Sequence, residues 1–184
     1  MDQTASAQPF LTDIQTLRRR AMAHMESGAV TETYRGDAAR TIELLQSVLA
    51  TELVCVLRYQ QHSIVATGLA SEGVRAEFAQ HAKEEQQHAM SVAERINQLG
   101  GAPDFSPDSL TARSASEYQT GDSLGEMIRE NLVAERIAID HYRELIRYFG
   151  DNDPATRVML ESILAVEEEH ASDMLDLLSA HAKS

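Results

Sequence analysis

Glu84-Glu85-Gln86-Gln87-His88 is the stretch from which the rest of this chain can be read. Glu85 and His88 are three residues apart, so on a helix they share a face and can close on one metal ion. The same spacing returns near the C-terminus in Glu167-Glu168-Glu169-His170. One Glu-x-x-His carries little weight, because both residue types are ordinary on helix surfaces. Two carry weight if both point into the protein, and the hydrophobic pattern around them shows which way they face.

Four long helices are expected. Asp37, after Gly36, caps one that runs to about Thr67. The helix carrying Glu85 runs from about Ser71 to Leu99 and stops at Gly100-Gly101. A third opens with the capping box Ser123-x-x-Glu126 and ends at Gly150. The helix carrying Glu167 opens with Asp153 as cap and Pro154 at its first position, and continues to about residue 181. Before them, a short helix is expected from the capping box Thr12-x-x-Gln15 to near Gly28. Its Arg18-Arg19-Arg20 reads as a solvated basic turn, or as a contact with nucleic acid or a neighbouring subunit. The division expected is a 1–35 N-terminal extension and a 36–184 helical bundle.

The links set the topology. Residues 68–71 and 150–153 are short, so each joins antiparallel neighbours. The link from Ala102 to Gly121 is long and rich in Pro, Ser, Asp and Thr. A helix of about 28 residues is roughly 42 Å long. About 20 extended residues reach some 66 Å, enough to run the bundle's length and start the third helix parallel to the second. The fold class is therefore all-α: two antiparallel hairpins joined by one long crossover, plus the short N-terminal helix.

Each long helix shows a seam of alternating three- and four-residue steps. The seams read Ile42, Leu45, Leu49, Glu52, Val56, Tyr59; Val74, Phe78, His81, Glu85, His88, Val92, Leu99; Leu124, Ile128, Asn131, Glu135, Ala138, Tyr142, Leu145, Phe149; and Leu160, Ile163, Glu167, His170, Met174, Leu177. In each, acidic residues interrupt an apolar stripe near mid-helix, where antiparallel and parallel neighbours meet at one height. Four buried carboxylates without partners would lose many kcal/mol to desolvation and repulsion. No core-facing Lys or Arg is expected at that level, so two divalent cations are the natural balance. The hairpins also repeat approximately: Glu52 precedes Glu85 by about 33 residues and Glu135 precedes Glu167 by about 32, and Tyr59 and Tyr142 each follow a seam Glu by seven. One Glu from each of two helices plus Glu-x-x-His from each of the others is the dimetal carboxylate pattern.

Thr51-Glu52-Leu53-Val54 with Tyr59 and His62, Glu85-Gln86-Gln87-His88 running to Leu99-Gly100-Gly101-Ala102-Pro103, Asn131-Leu132-Val133-Ala134-Glu135, and Glu167-Glu168-Glu169-His170 together resemble the ferritin-like superfamily, most closely its bacterioferritin branch. The resemblance covers about residues 37–180. It implies a ferritin-like four-helix bundle in which Glu52 and His88 hold one iron, Glu135 and His170 the other, and Glu85 and Glu167 bridge them. It implies a ferroxidase that oxidises two Fe(II) per subunit with O2 or H2O2 and passes Fe(III) to a mineral inside a hollow homo-oligomer. Tyr59 falls where that branch keeps a tyrosine beside the site, as a source of an electron or a hydrogen bond, or simply as a packed aromatic. Bacterioferritins carry haem on a Met immediately after the first bridging Glu. Gln86 stands there, and an amide is a poor haem ligand, so no haem is expected. The 1–35 extension has no bacterioferritin counterpart, and a Dps-like cage around a bacterioferritin-like site is the other assembly considered. Dps tails that bind DNA are Lys-rich, whereas residues 1–17 contain neither Lys nor Arg.

Composition fits these expectations. Of 184 residues, 43% are hydrophobic and 24% charged, and the net charge of −13 disfavours nonspecific binding to nucleic acid. The single Cys55 excludes an internal disulfide or a Cys-based zinc site, suggests a reducing compartment, and reads as a small buried hydrophobe. With neither a secretory signal in Met1–Gln8 nor a membrane-length apolar run, the expected location is the cytoplasm. His81 reads as an extra ligand, an entry residue or a hydrogen-bonded histidine behind the ligands. Iron and manganese share these hard O and N ligands. A dimetal peroxidase, manganese catalase or oxygenase, and a helical interaction module with structural carboxylates, are the competing functions.

Overall fold

A computed structural model describes residues 12–68 and 71–183. The described residues form α1 (Ile14–Ala21), α2 (Ala38–Val65), α3 (Ser71–Gln98), α4 (Leu110–Arg113), α5 (Leu124–Phe149) and α6 (Pro154–His181), with 3₁₀ turns at Met25–Ser27 and Pro107–Ser109 and no strand among them. The principal packed pairs are α2 with α3 and α5 with α6, and α2–α5 and α3–α6 contacts close the bundle. No helix among the described residues is long and apolar enough to cross a membrane.

The caps explain most boundaries. Asp37 accepts from the Arg40 amide at 3.0 Å, and Asp153 accepts from the Thr156 amide at 3.0 Å, each satisfying a donor that the first helical turn leaves free. At Ser123 the hydroxyl accepts from the Glu126 amide, but the returning Glu126 carboxylate accepts from the Asp122 amide at 2.9 Å. α1 departs from expectation. Its cap is Asp13, whose carboxylate accepts from the Gln15 and Thr16 amides, because a carboxylate one residue later outcompetes the Thr12 hydroxyl. α1 ends at Ala21, well short of Gly28, and buries none of its residues. With no apolar face packed on the bundle, nothing sustains a longer helix.

The core has two apolar halves. One gathers Leu45, Leu49, Val92, Ile96, Tyr142, Phe149 and Leu160; the other gathers Tyr59, Phe78, Ile128 and Met174. Each fully buried large side chain contributes about 1.5–3 kcal/mol. Of the seam residues, only Ile42, Leu124 and Leu177 are half-buried; the others are buried. Gly101 lets α2 approach the end of α3, since a Cβ there would lie 2.9 Å from Ile42 Cγ2.

The 102–121 crossover runs along α2 but is not a bare extended strap. It holds the 3₁₀ turn and α4, whose Leu110 is buried in a small cluster with Ala50 and Val54. The link has more residues than the span needs, and the surplus coils where an apolar residue can be buried. A polar stripe on α2 fastens it: Ser47 donates to the Arg113 carbonyl at 2.9 Å, Thr51 accepts from the Ala115 amide at 2.9 Å, and His62 Nε2 lies 2.7 Å from the Thr120 carbonyl. Arg58, only 1% exposed, donates to Asn131 Oδ1 at 2.9 Å, Ser116 Oγ at 3.1 Å and the Glu117 carbonyl at 3.0 Å. One arginine is thus buried, but neutral acceptors of α5 and the crossover hold its guanidinium, and among the described residues no salt bridge joins it to the four seam carboxylates.

The N-terminal segment is tied down at the opposite end. Tyr34 donates to Asp153 Oδ2 at 2.9 Å, and the Arg95 guanidinium meets Asp153 Oδ1 at 2.9 Å. Burial alone would raise the Asp153 pKa, but the Thr156 hydrogen bonds, with Tyr34 and Arg95, outweigh it and hold the carboxyl below the usual range.

Candidate metal centre

Between the two apolar halves lies a polar layer made of the six seam residues. Glu52 comes from α2, Glu85 and His88 from α3, Glu135 from α5, and Glu167 and His170 from α6; Glu135 is 0% exposed and His88, the most exposed, 8%. The layer resolves into two groups of four, Glu52/Glu85/His88/Glu167 and Glu85/Glu135/Glu167/His170. Within each group one donor atom from every residue lies within 4.8 Å of the others. Glu85 and Glu167 belong to both groups.

Distances show how tightly the donors converge. His88 Nδ1 is 2.9 Å from Glu167 Oε1, 3.4 Å from Glu52 Oε2 and 3.5 Å from Glu85 Oε2. His170 Nδ1 is 3.4 Å from Glu85 Oε1 and 3.7 Å from Glu167 Oε2. Atoms bonded at about 2.1 Å to a common ion at tetrahedral angles are about 3.4 Å apart, so these separations suit shared coordination. Glu52 Oε2, Glu85 Oε1, Glu135 Oε2, both Glu167 oxygens and both inward Nδ1 atoms are buried yet make no hydrogen bond. Close approach without hydrogen-bond geometry means that the donor set is aimed at common points rather than at partners within itself. Buried polar atoms are otherwise nearly always paired. The residues present therefore fit a pair of divalent cations.

The electrostatics agree. Burial, then the charges of Glu85 and Glu167, push the Glu52 and Glu135 carboxyls well above the usual range. Glu85 goes the other way: burial opposes its ionisation, but the close His170 and His88 imidazoles hold its pKa far below normal. The imidazoles mirror it. Burial opposes charging His170, yet Glu167 and Glu85 push it up to about 11, and the same contest, with Glu167 the strongest favourable partner, drives His88 higher still. Protons thus occupy the positions that cations would take.

A surrounding layer orients these side chains. His170 Nε2 lies 2.9 Å from Glu84 Oε2, so that once the inward proton is lost Nδ1 faces the layer as a lone pair. Glu84 was not singled out from the sequence, because it lies beside the seam and reads as surface. Tyr59 is fully buried and its hydroxyl donates to Glu135 Oε1, so it is more than a packed aromatic. Burial, then the Glu135 charge, pushes its pKa well up. His81 is buried, with Nδ1 3.2 Å from the Tyr59 hydroxyl and its ring stacked on His170 at 3.9 Å between centroids. The hairpin repeat is imperfect here, since Tyr142 is buried with its hydroxyl unpaired. Cys55 is 2% exposed, and its sulfur accepts from Arg58 at 3.3 Å. Gln86 lies on the exposed face of α3.

Comparison with known proteins agrees with this architecture. The ferritin-like domain matches residues 42–183. The chain is 29% identical to the nutrient stress-induced DNA-binding protein of Nostoc sp. over 148 residues, 79% of this chain and 80% of that protein. Its fold is similar to that of the dodecameric thioferritin, a bacterioferritin-related protein from Bacteroides fragilis, with a TM-score of 0.78 and 30% identity over 81% of this chain and 90% of that one. It is also similar to BfrA from M. tuberculosis, with a TM-score of 0.70 and 25% identity over 80% and 88% of the two chains. With the match spanning all four long helices, this chain belongs to the ferritin-like family.

Proposed function

We propose that this chain is a ferroxidase that binds two Fe(II) ions per subunit, oxidises them with O2 or H2O2, and stores the product as Fe(III) mineral within a hollow homo-oligomer. The observation that carries the reading is the pair of four-residue groups sharing Glu85 and Glu167, with their donor atoms buried and unpaired. Glu52 and His88 complete the set for one ion, and Glu135 and His170 for the other. Four carboxylates balance the charge of two divalent ions, and oxygen donors favour the harder Fe(III) product. Each Fe(II) yields one electron, so two adjacent ions supply the pair that reduces H2O2 to water. Tyr59 steadies Glu135 by its hydrogen bond.

Assembly into a cage is supported by the dodecameric Bacteroides relative and by exposed apolar side chains on the long helices, among them Leu57, Ile64 and Val158. DNA binding belongs to the name of the Nostoc relative. For this chain, the net charge of −13 and the absence of Lys and Arg from residues 1–17 favour a cage that does not hold nucleic acid. Manganese would be held by the same donors, and a dimetal peroxidase, manganese catalase or oxygenase would use the same layer. Retention of mineral separates storage from these. Aerobic loading should yield an assembly retaining hundreds of irons, and Glu85→Ala and Glu167→Ala should each lower the Fe(II) oxidation rate sharply. Wild-type rates in both variants would remove the site assignment.

A further inference from the structure

A second convergence of donors lies one helical turn outside the buried pair. Glu77 and His81 share a face of α3, four residues apart, and Asp173 lies one turn beyond His170 on α6. His81 Nε2 is 3.3 Å from Glu77 Oε1 and 3.5 Å from Asp173 Oδ2. These lengths again suit donors bonded at about 2.1 Å to one ion, about 3.4 Å apart. We propose that Glu77, His81 and Asp173 form a third divalent-cation site at the mouth of the cavity between α3 and α6.

Hydrogen-bond bookkeeping at His81 is the independent support. The Tyr59 proton is committed to Glu135, so the Tyr59 oxygen accepts from His81 Nδ1. With the ring neutral in that tautomer, Nε2 presents a lone pair to two carboxylates, an arrangement that a cation among the three turns from repulsive to favourable. The His81 side chain is only 2% exposed, so water does not screen that face, whereas Glu77 and Asp173 are 39% and 41% exposed and open to incoming ions. The three donors line a cavity of about 430 Å³ that also reaches Glu84, His88 and His170. A cation at the mouth is therefore next to Glu84, which touches the inward ligand His170. Service as a loading station for the buried pair rests on the ferroxidase reading; cation binding at the mouth does not.

The test counts zinc(II) ions bound per subunit at equilibrium, by dialysis and elemental analysis, in wild type, in Glu77→Gln/Asp173→Asn and in Glu85→Ala/Glu167→Ala. Both mouth substitutions are isosteric and partly exposed, and helical circular dichroism checks that the fold is kept. The expected counts are three, two and one. A wild type that binds only two ions, or a mouth variant whose count equals wild type, overturns the third site. A bridging-residue variant that keeps three ions refutes the buried pair while leaving the mouth site standing, so the two failures are distinguishable.

Discussion

Removing Glu85 should erase nearly all the stabilisation that metal at the buried pair of sites gives the bundle, whereas removing Glu52 should erase about half. Glu85 belongs to both four-residue groups and Glu52 to one. Zinc(II) is a suitable probe because it has no redox chemistry. At free zinc 100 times the dissociation constant, one site stabilises the fold by about 2.7 kcal/mol and two sites by about 5 kcal/mol. For a chain of this length each kcal/mol moves the melting temperature by about 2–4 °C, so zinc should raise the wild-type Tm by about 10–20 °C. If losing a ligand weakens a site about 100-fold, that site still contributes about 0.4 kcal/mol at the same zinc concentration. Glu52→Ala then keeps about 3 kcal/mol and a shift of roughly 6–12 °C, while Glu85→Ala keeps about 0.8 kcal/mol and a shift of roughly 2–3 °C. The assay is thermal unfolding followed by circular dichroism, with and without zinc, at fixed protomer concentration. Zinc at Glu77, His81 and Asp173 would add one equal increment above these figures in all three proteins, so it does not affect the ordering. Equal zinc-dependent shifts in Glu52→Ala and Glu85→Ala would refute shared bridging by Glu85.

Cation binding should release protons, because the metal-free layer holds them. His170, raised to about 11, and His88, raised further, are imidazolium at neutral pH, and a metal ion needs their lone pairs. At least two protons per subunit should therefore appear when manganese(II) is added to unbuffered protein near pH 7, and apparent affinity should rise with pH. A titration consuming no base would contradict these imidazolium assignments. Arg58→Ala should destabilise the fold by about 2–4 kcal/mol, because it opens a cavity and orphans the acceptors of Asn131, Ser116 and Glu117. Limited proteolysis should then cut the 102–121 crossover first; cleavage elsewhere, with the crossover intact, would show that Arg58 does not fasten it.

The four long helices and the inward direction of the six polar seam residues were legible in the sequence, because each rests on short-range information. Asp37, Ser123 and Asp153 announce helix starts by local hydrogen bonding, and a 3.5-residue stripe determines which face turns inward. The charge argument added that four glutamates on such stripes need cations. The tertiary structure decided what depends on atoms distant in the chain. Asp13 rather than Thr12 caps α1, and α1 stops early because nothing packs against it. Arg58 is buried because Asn131 and the crossover supply acceptors for its guanidinium, partners found 58 to 73 residues away. Glu84 reads as surface until α6 brings His170 against it. The Tyr59 hydroxyl reaches Glu135 while that of its repeat partner Tyr142 makes no hydrogen bond, an asymmetry that equal seven-residue spacings hide. Periodicity specifies the direction of a side chain from its own helix; whether a hydrogen-bonding partner waits there is settled only when the helices pack.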